Sequence, residues 1–318
     1  MPFVYALCAL AALYIIFAVG PAVVAYSLVS GKKSAVPFER MNAGGTYYEP
    51  YVASLSENIK YCRTLPSERL TTDSGDGLTL CADLTDCGSD TVVMLVHGFR
   101  GDPALNFCTQ KRYFTGLGIG TLTVYLRGHS VSGGDSCTLG INERKDLTVW
   151  AEYLHRLGKK NIFIYGVSMG ASTAAFAAAE YDPSYVRGLI IDCGYTDPYT
   201  QIGRDCRRRR LPAPLIMPIV NLFFRIRRGV DLRLNTTDAL SKTTIPVLFI
   251  HDRRDPTVPY GDTEKNFAAC ASKKDLITVD CGQHTLSFLA GGEPVRGAVT
   301  KFIKDNSEEK NEKLHNNG

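Results

Sequence analysis

Short apolar runs alternate with amphipathic stretches along most of this chain. The alternation predicts strands and helices in turn. Residues 91–96 (TVVMLV) and 120–126 (GTLTVYL) are continuous apolar runs, the pattern of strands buried on both faces. Residues 70–72 and 78–84 flank Asp76-Gly77, a hairpin signal. A helix follows in which Leu147, Trp150, Leu154 and Leu157 recur at spacings of three and four. Next come a strand at 161–165 (NIFIY), an Ala-rich helix over 169–181 and a strand at 188–192. Past an interruption, a strand at 246–251 (PVLFIH), a helix at 262–271, a strand at 276–279 and a helix near 294–303 complete the series. Strands alternating with helices predict an α/β fold with a mostly parallel, doubly wound sheet. In such sheets active sites sit at the carboxyl ends of the strands. The residues after each strand are therefore the place to look for chemistry.

Two stretches depart from this rhythm. From Phe3 to Val29 there is no Asp, Glu, Lys, Arg or His, a run of 27 residues. That exceeds the roughly 20 needed to span a bilayer. A cleavable signal peptide wants a basic leading region and a shorter apolar core. Residues 1–31 are thus expected to be a retained single-pass transmembrane anchor, kinked at Pro21. Lys32, Lys33 and Arg40 would place the following side in the cytoplasm by the positive-inside tendency. Anchored enzymes with a leading helix also face outward, so the membrane face stays open. Residues 32–66, with Gly44-Gly45 and a Tyr cluster, are expected to be a linker and approach segment. The polar residues 306–318 are expected to be a disordered tail.

The second departure spans 201–233. It holds nine Arg, no Lys and only Asp205 and Asp231, a local balance of +7 in a chain whose net charge is +4. With 318 residues and 45% hydrophobic content the chain has an ordinary globular composition, which excludes collagenous, coiled-coil and wholly disordered classes. The mild net charge gives no reason to expect nucleic acid. The ten cysteines include no CxxC pair, so a zinc site is poorly supported. Free thiols are the expectation, with Cys81–Cys87 or Cys270–Cys281 bridges open to a domain outside the cytoplasm.

After NIFIY comes Gly166-Val167-Ser168-Met169-Gly170. This is G-x-S-x-G between a strand and a helix, a nucleophile-elbow context. By composition alone such a match has odds of roughly one in seven, so the context carries the weight. In so tight a turn, side chains two before and two after the serine would collide, which explains the glycines. A serine hydroxyl needs a base, and the expected chain order is Ser, then acid, then His. Of the six histidines only His284 and His315 follow a suitable acid, and His315 lies in the polar tail. His284, just after the strand at 276–279, is therefore the candidate base. The acid is open among Asp255 and Asp252, in the loop after PVLFIH, and Asp192, which ends the preceding strand. It must hold the histidine in one tautomer. The oxyanion needs backbone donors. The N–H of Met169 is one, and His97-Gly98-Phe99 after TVVMLV offers the N–H of Phe99 as the other. His97 reads as a structural hydrogen-bonding residue.

At this point His97-Gly98-Phe99, Leu126-Arg127-Gly128-His129, Gly166 to Gly170, the loop from Asp255 to Pro259 and His284 resemble the α/β-hydrolase superfamily in sequence order. Within it, Asp192-Cys193-Gly194-Tyr195-Thr196-Asp197 and the apolar leader are similar to membrane-anchored abhydrolase-domain serine hydrolases. The resemblance covers about residues 67–304. It implies an α/β-hydrolase domain over 67–305, a helical cap inserted at about 197–240, and Ser168, Asp255 and His284 as catalytic triad. It departs from the family at His251-Asp252, where His-Gly is common, which keeps Asp252 in play.

The expected activity is cleavage of a carboxylic ester or lipid-like thioester, with no metal or organic cofactor implied. The alternatives are a serine peptidase acting on peptide amides and a catalytically inactive binding scaffold. Expected partners are a small-molecule or lipid ester and the membrane, through the N-terminal helix. The basic insertion reads as a packed helical lid with a charged face, as a pocket for acidic acyl groups, or as anionic-lipid contact through Arg207, Arg208, Arg209 and Arg210.

Overall fold

The structure, a computed structural model, describes residues 1–32 and 49–307. Residues 33–48 of the expected linker and 308–318 of the expected tail lie outside the described residues. Eight strands form one sheet: β1 (Glu68–Asp73), β2 (Thr79–Thr85), β3 (Thr91–Val96), β4 (Gly120–Tyr125), β5 (Asn161–Val167), β6 (Val186–Asp192), β7 (Val247–Asp252) and β8 (Lys274–Val279). Their order is β1-β2-β4-β3-β5-β6-β7-β8. The β1–β2 and β2–β4 pairs are antiparallel and the rest parallel. Gly75 and Gly77 take positive φ in the β1–β2 turn, as the Asp-Gly signal requires.

The helices are α1 (Pro2–Tyr14), α2 (Gly20–Ser30), α3 (Val52–Thr64), α4 (Pro103–Gly116), α5 (Arg144–Arg156), α6 (Met169–Phe176), α7 (Pro198–Arg208), α8 (Ala213–Arg228), α9 (Thr236–Leu240), α10 (Tyr260–Ala269), α11 (Ser287–Ala290) and α12 (Gly292–Asn306). They cover both faces of the sheet. On one face Met94 and Ile164 pack with Trp150 of α5, Ala174 of α6 and Val220 of α8. On the other, Leu95 and Phe163 pack with Phe114 of α4, Phe288 of α11 and Phe302 of α12. Alternate residues of β3 and β5 thus enter different cores, which is why those strands read as unbroken apolar runs. Three helices were not anticipated, one of them the four-residue α11. α4 crosses between β3 and β4, and α3 lies within the expected approach segment, its Leu55 and Ile59 packed on Leu105 of α4.

The expected transmembrane anchor is overturned. No helix among the described residues is long and apolar enough to cross a membrane. A π-helical stretch, Ile15–Val19, separates α1 from α2. These helices have 13 and 11 residues, each short of the roughly 20 a span needs. The interruption sits just before Pro21, whose missing N–H cannot continue the helical ladder. α2 is also engaged with the cap. Tyr26 lies with its ring 5.6 Å from Phe223 and 5.1 Å from Phe224, and Ala22 is fully buried. The Ser30 carbonyl accepts the Cys137 N–H at 2.8 Å, and Gly31 bridges to Ser136.

The cap is helical. Asp197 caps α7 by accepting the Thr200 N–H at 2.6 Å. Pro218 lies inside α8, which ends on Gly229 in the left-handed region. Arg204 grips the buried carboxylate of Asp262 on α10 with two hydrogen bonds, 2.5 and 2.7 Å, and so ties the cap to the main domain. Arg208 pairs with Asp205 and Arg228 with Asp135, while Arg207, Arg209 and Arg210 are exposed. All ten cysteines are free thiols, so neither bridge considered from sequence forms.

The Arg127 segment after β4 is a buried ionic hub. Its Nε donates to Asp146 Oδ1 at 2.7 Å, its backbone N–H to Asp146 Oδ2 at 2.9 Å, and its Nη1 to Asp76 at 2.7 Å. Burial alone would lower the pKa of the guanidinium; the bonds to Asp146 and Asp76 outweigh it and hold the pKa above its ordinary value. Arg127→Ala would strand the fully buried Asp146. Breaking one partner of such a pair costs about 3–5 kcal/mol, so this variant is expected to unfold at clearly lower urea. An unchanged midpoint would remove the hub from the account.

Candidate active site

β5 ends at Val167, and Ser168 turns the chain into α6 with φ 53° and ψ −120°. This is a strained conformation for a side chain other than glycine. The surrounding backbone over-determines it. A Cβ at Gly166 would sit 2.3 Å from the Gly170 carbonyl oxygen, and one at Gly170 would sit 2.0 Å from that of Val96. The Ser168 N–H is fixed on the Asp192 carbonyl at 2.9 Å. The elbow therefore closes against β3 as well as against itself. It leaves the hydroxyl partly exposed at the positive end of α6.

Ser168 Oγ lies 2.8 Å from His284 Nε2, and His284 Nδ1 lies 2.6 Å from Asp255 Oδ2. These distances fit a neutral imidazole that donates Nδ1–H to the carboxylate and accepts the serine hydroxyl. The structure thus brings Ser168, His284 and Asp255 into one chain of hydrogen bonds. Asp255 also accepts the N–H groups of Thr257 and Val258, at 2.7 and 2.9 Å. Burial would raise its pKa, but hydrogen bonds from His251 and His284 outweigh it and hold the carboxyl well below the ordinary range. His251 was not foreseen in this role. Its Nε2 lies 3.4 Å from Asp255 Oδ2 and 3.0 Å from the Val258 carbonyl, and its Nδ1 meets Thr263. A histidine at the end of a buried strand, four residues before the acid, was the only available signal.

The other two acid candidates face elsewhere. Asp252 accepts the N–H groups of Arg254, Cys281 and Gln283, and the Cys281 thiol. It braces the loop that carries His284. Asp192 is fully buried and accepts the Tyr165 hydroxyl at 3.1 Å. Burial pushes its carboxyl up to about 6.

The loop after β3 approaches Ser168 closely. A Cβ at Gly98 would lie 3.4 Å from Ser168 Cβ. Phe99 and Met169 line the same cavity as Ser168 and His284, a space of about 420 Å³. His97 behind this loop is fully buried. It donates Nδ1–H to the Gly98 carbonyl at 2.8 Å and accepts the Leu126 N–H on Nε2 at 3.2 Å. Burial, with His129 alongside, pushes it down to about 3, so it is a neutral fixture. Arg207, Arg208, Arg209 and Arg210 do not line the cavity, although Arg208 donates to the Thr257 carbonyl at its rim. Among the described residues one trio, Cys193, Asp255 and His284, has metal-ligating atoms within 4.8 Å of one another. Two of these already bond each other, and burial pushes the Cys193 thiol far above its ordinary value, which makes it a poor ligand.

An eight-stranded, mostly parallel sheet with a serine elbow after β5, an acid after β7 and a histidine after β8 defines the α/β-hydrolase fold. Family models agree: residues 91–215 match one described as alpha/beta hydrolase fold, and residues 229–314 match one described as TAP-like protein. The sheet topology and the match over residues 91–215 give the chain an α/β-hydrolase fold. It is 29% identical over 215 residues, 66% of this chain and 70% of the relative, to an uncharacterized protein YqkD of Bacillus subtilis (strain 168). In structure it is similar to the Pyrococcus furiosus esterase Pf2001, with TM-score 0.66 and 20% identity, covering 88% of this chain and 99% of that one. It is also similar to Est1E of Butyrivibrio proteoclasticus, solved with ferulic acid bound, with TM-score 0.56 and 21% identity, covering 74% and 98%. Mouse alpha/beta hydrolase domain-containing protein 10 is a more distant likeness, with TM-score 0.55 and 18% identity, covering 76% and 100%. These structural likenesses establish the fold. The resemblance to a membrane-anchored branch finds no support in them.

Proposed function

We propose that this protein is a serine hydrolase that cleaves a carboxylic ester or thioester through an acyl-enzyme on Ser168. The observation that carries the reading is the unbroken run from Ser168 Oγ through His284 to the buried Asp255 carboxylate, 2.8 and 2.6 Å, on the wall of an accessible cavity. Esterases among the structural neighbours add weight to it.

In this reading Ser168 Oγ attacks the substrate carbonyl while His284 Nε2 takes its proton. Asp255 keeps the proton of the neutral ring on Nδ1 and stabilises the imidazolium as it forms. The oxyanion accepts hydrogen bonds from the N–H groups of Met169 and Phe99. His284 then protonates the leaving group, the acyl-serine forms, and a water activated by His284 releases the acid. His251 and the Thr257 and Val258 N–H groups keep Asp255 ionised and fixed, and Asp252 keeps the His284 loop in place.

A panel of esters of increasing chain length, thioesters and peptide amides tests the substrate class. Turnover of esters or thioesters that vanishes in Ser168→Ala supports the reading. Turnover of amides alone would move the assignment to a peptidase.

A further inference from the structure

The first 31 residues contribute no group to the proposed chemistry, yet their last turn reaches the cavity above Ser168. Val29, near the end of α2, lines that cavity together with Leu139, Ile202 and Val258. These four aliphatic side chains come from widely separated parts of the chain. They meet around the same space that holds Ser168 and His284.

Val29 is held there on both sides along the chain. Before it, Tyr26 is lodged against Phe223 and Phe224 of α8. After it, the Ser30 carbonyl is bonded to Cys137 and Gly31 bridges to Ser136. Ser30 is itself buried. Position 29 therefore cannot slide away from the cavity without breaking hydrogen bonds and aromatic packing. The opposite face of the same helix is open, with Val24 58% exposed.

A cavity of about 420 Å³ is small on the roughly 300–1,000 Å³ scale of ligand sites. In such a pocket one methylene of substrate or wall changes kcat/KM by about tenfold or more. We propose that Val29 is a specificity-determining residue: its side chain, delivered by the N-terminal helix, sets the length of the aliphatic group that the site accepts beside Ser168. The substrate class is then an ester carrying an aliphatic chain. This inference rests on the serine-hydrolase reading and deepens it.

The test uses the full-length protein, with p-nitrophenyl acetate, butyrate and octanoate as probes, and compares the parent with Val29→Ala, Val29→Phe and Val24→Phe. The readout is the ratio of kcat/KM for octanoate to that for acetate. In Val29→Phe the ratio falls by about tenfold or more; in Val29→Ala it rises. Val24→Phe, on the open face of α2, leaves it within about twofold. The proposal is overturned if both Val29 variants keep the parent ratio within about twofold. It is equally overturned if they lose all three esters in equal proportion, the mark of a merely structural role. Labelling of Ser168 by a small fluorophosphonate separates the Val29 assignment from the hydrolase reading. Full labelling with an unchanged ratio sinks the Val29 assignment and leaves the hydrolase standing. A folded parent that neither labels nor turns over any ester sinks both.

Discussion

Replacing Ser168 with Ala is expected to lower kcat for an ester substrate by at least about 1,000-fold while the fold survives, and His284→Ala should do the same. The two losses come from one unit. In the proposed mechanism, removing Oγ removes the nucleophile, and without Nε2 the hydroxyl 2.8 Å away stays protonated and weak. Combined, the substitutions should cost little more than either alone, because groups that act together are not additive. Circular dichroism and a urea midpoint near the parent's would show that chemistry, not folding, was lost. Ser168→Ala also keeps a residue in the strained elbow, where φ is 53°. A modest change in stability is therefore expected. Activity within tenfold of the parent in either single variant would remove this mechanism.

The second large effect separates two neighbouring carboxylates, one at the end of β7 and one in the loop after it. Asp255→Asn should lower kcat by about 1,000-fold or more, because an amide no longer fixes the His284 tautomer or stabilises the imidazolium. Asp252→Asn should cost far less activity and show mainly as lost stability, since its carboxylate binds loop N–H groups and not the imidazole. The pH dependence of stability is a second readout. Hydrogen bonding holds both carboxyls below their ordinary value, in each case against burial, which acts to raise it. Their stabilisation is thus present above about pH 4 and lost as the pH falls through the folded-state values. In Asp255→Asn that acid limb should be shallower. A reversed activity ranking would move the acid to Asp252.

Much of this architecture was legible because its signals are local. TVVMLV and NIFIY read as doubly buried strands since alternate residues feed two separate cores. Ser168 and His284 were found from their positions after strands, and the structure places them in contact. The acid was not separable by spacing. Asp252 and Asp255 are three residues apart; the structure puts Asp252 at the end of β7, not in the loop expected from sequence, and only the three-dimensional course of the His284 loop decides which one faces the imidazole. α4 escaped notice because its apolar residues, Leu105, Phe107, Cys108 and Phe114, divide between two clusters and give no clean stripe. The N-terminal run misled for a related reason. Length and hydropathy measure how apolar a segment is, not what it meets, and here Tyr26 meets the cap helix and Ala22 is buried. The role of His251 required knowing that β7 delivers it beside the acid. The arginine-rich insertion divided unevenly too. Arg204 is consumed by Asp262 as a structural tie, whereas Arg207, Arg209 and Arg210 remain on the surface.

An activated Ser168 would react covalently with an electrophilic phosphonate. Incubation of the folded protein with a fluorophosphonate, followed by peptide mass spectrometry, reads this directly. One stoichiometric adduct on Ser168 is expected, absent in Ser168→Ala and strongly slowed in His284→Ala. A folded protein that forms no adduct, or forms it on another residue, would contradict it.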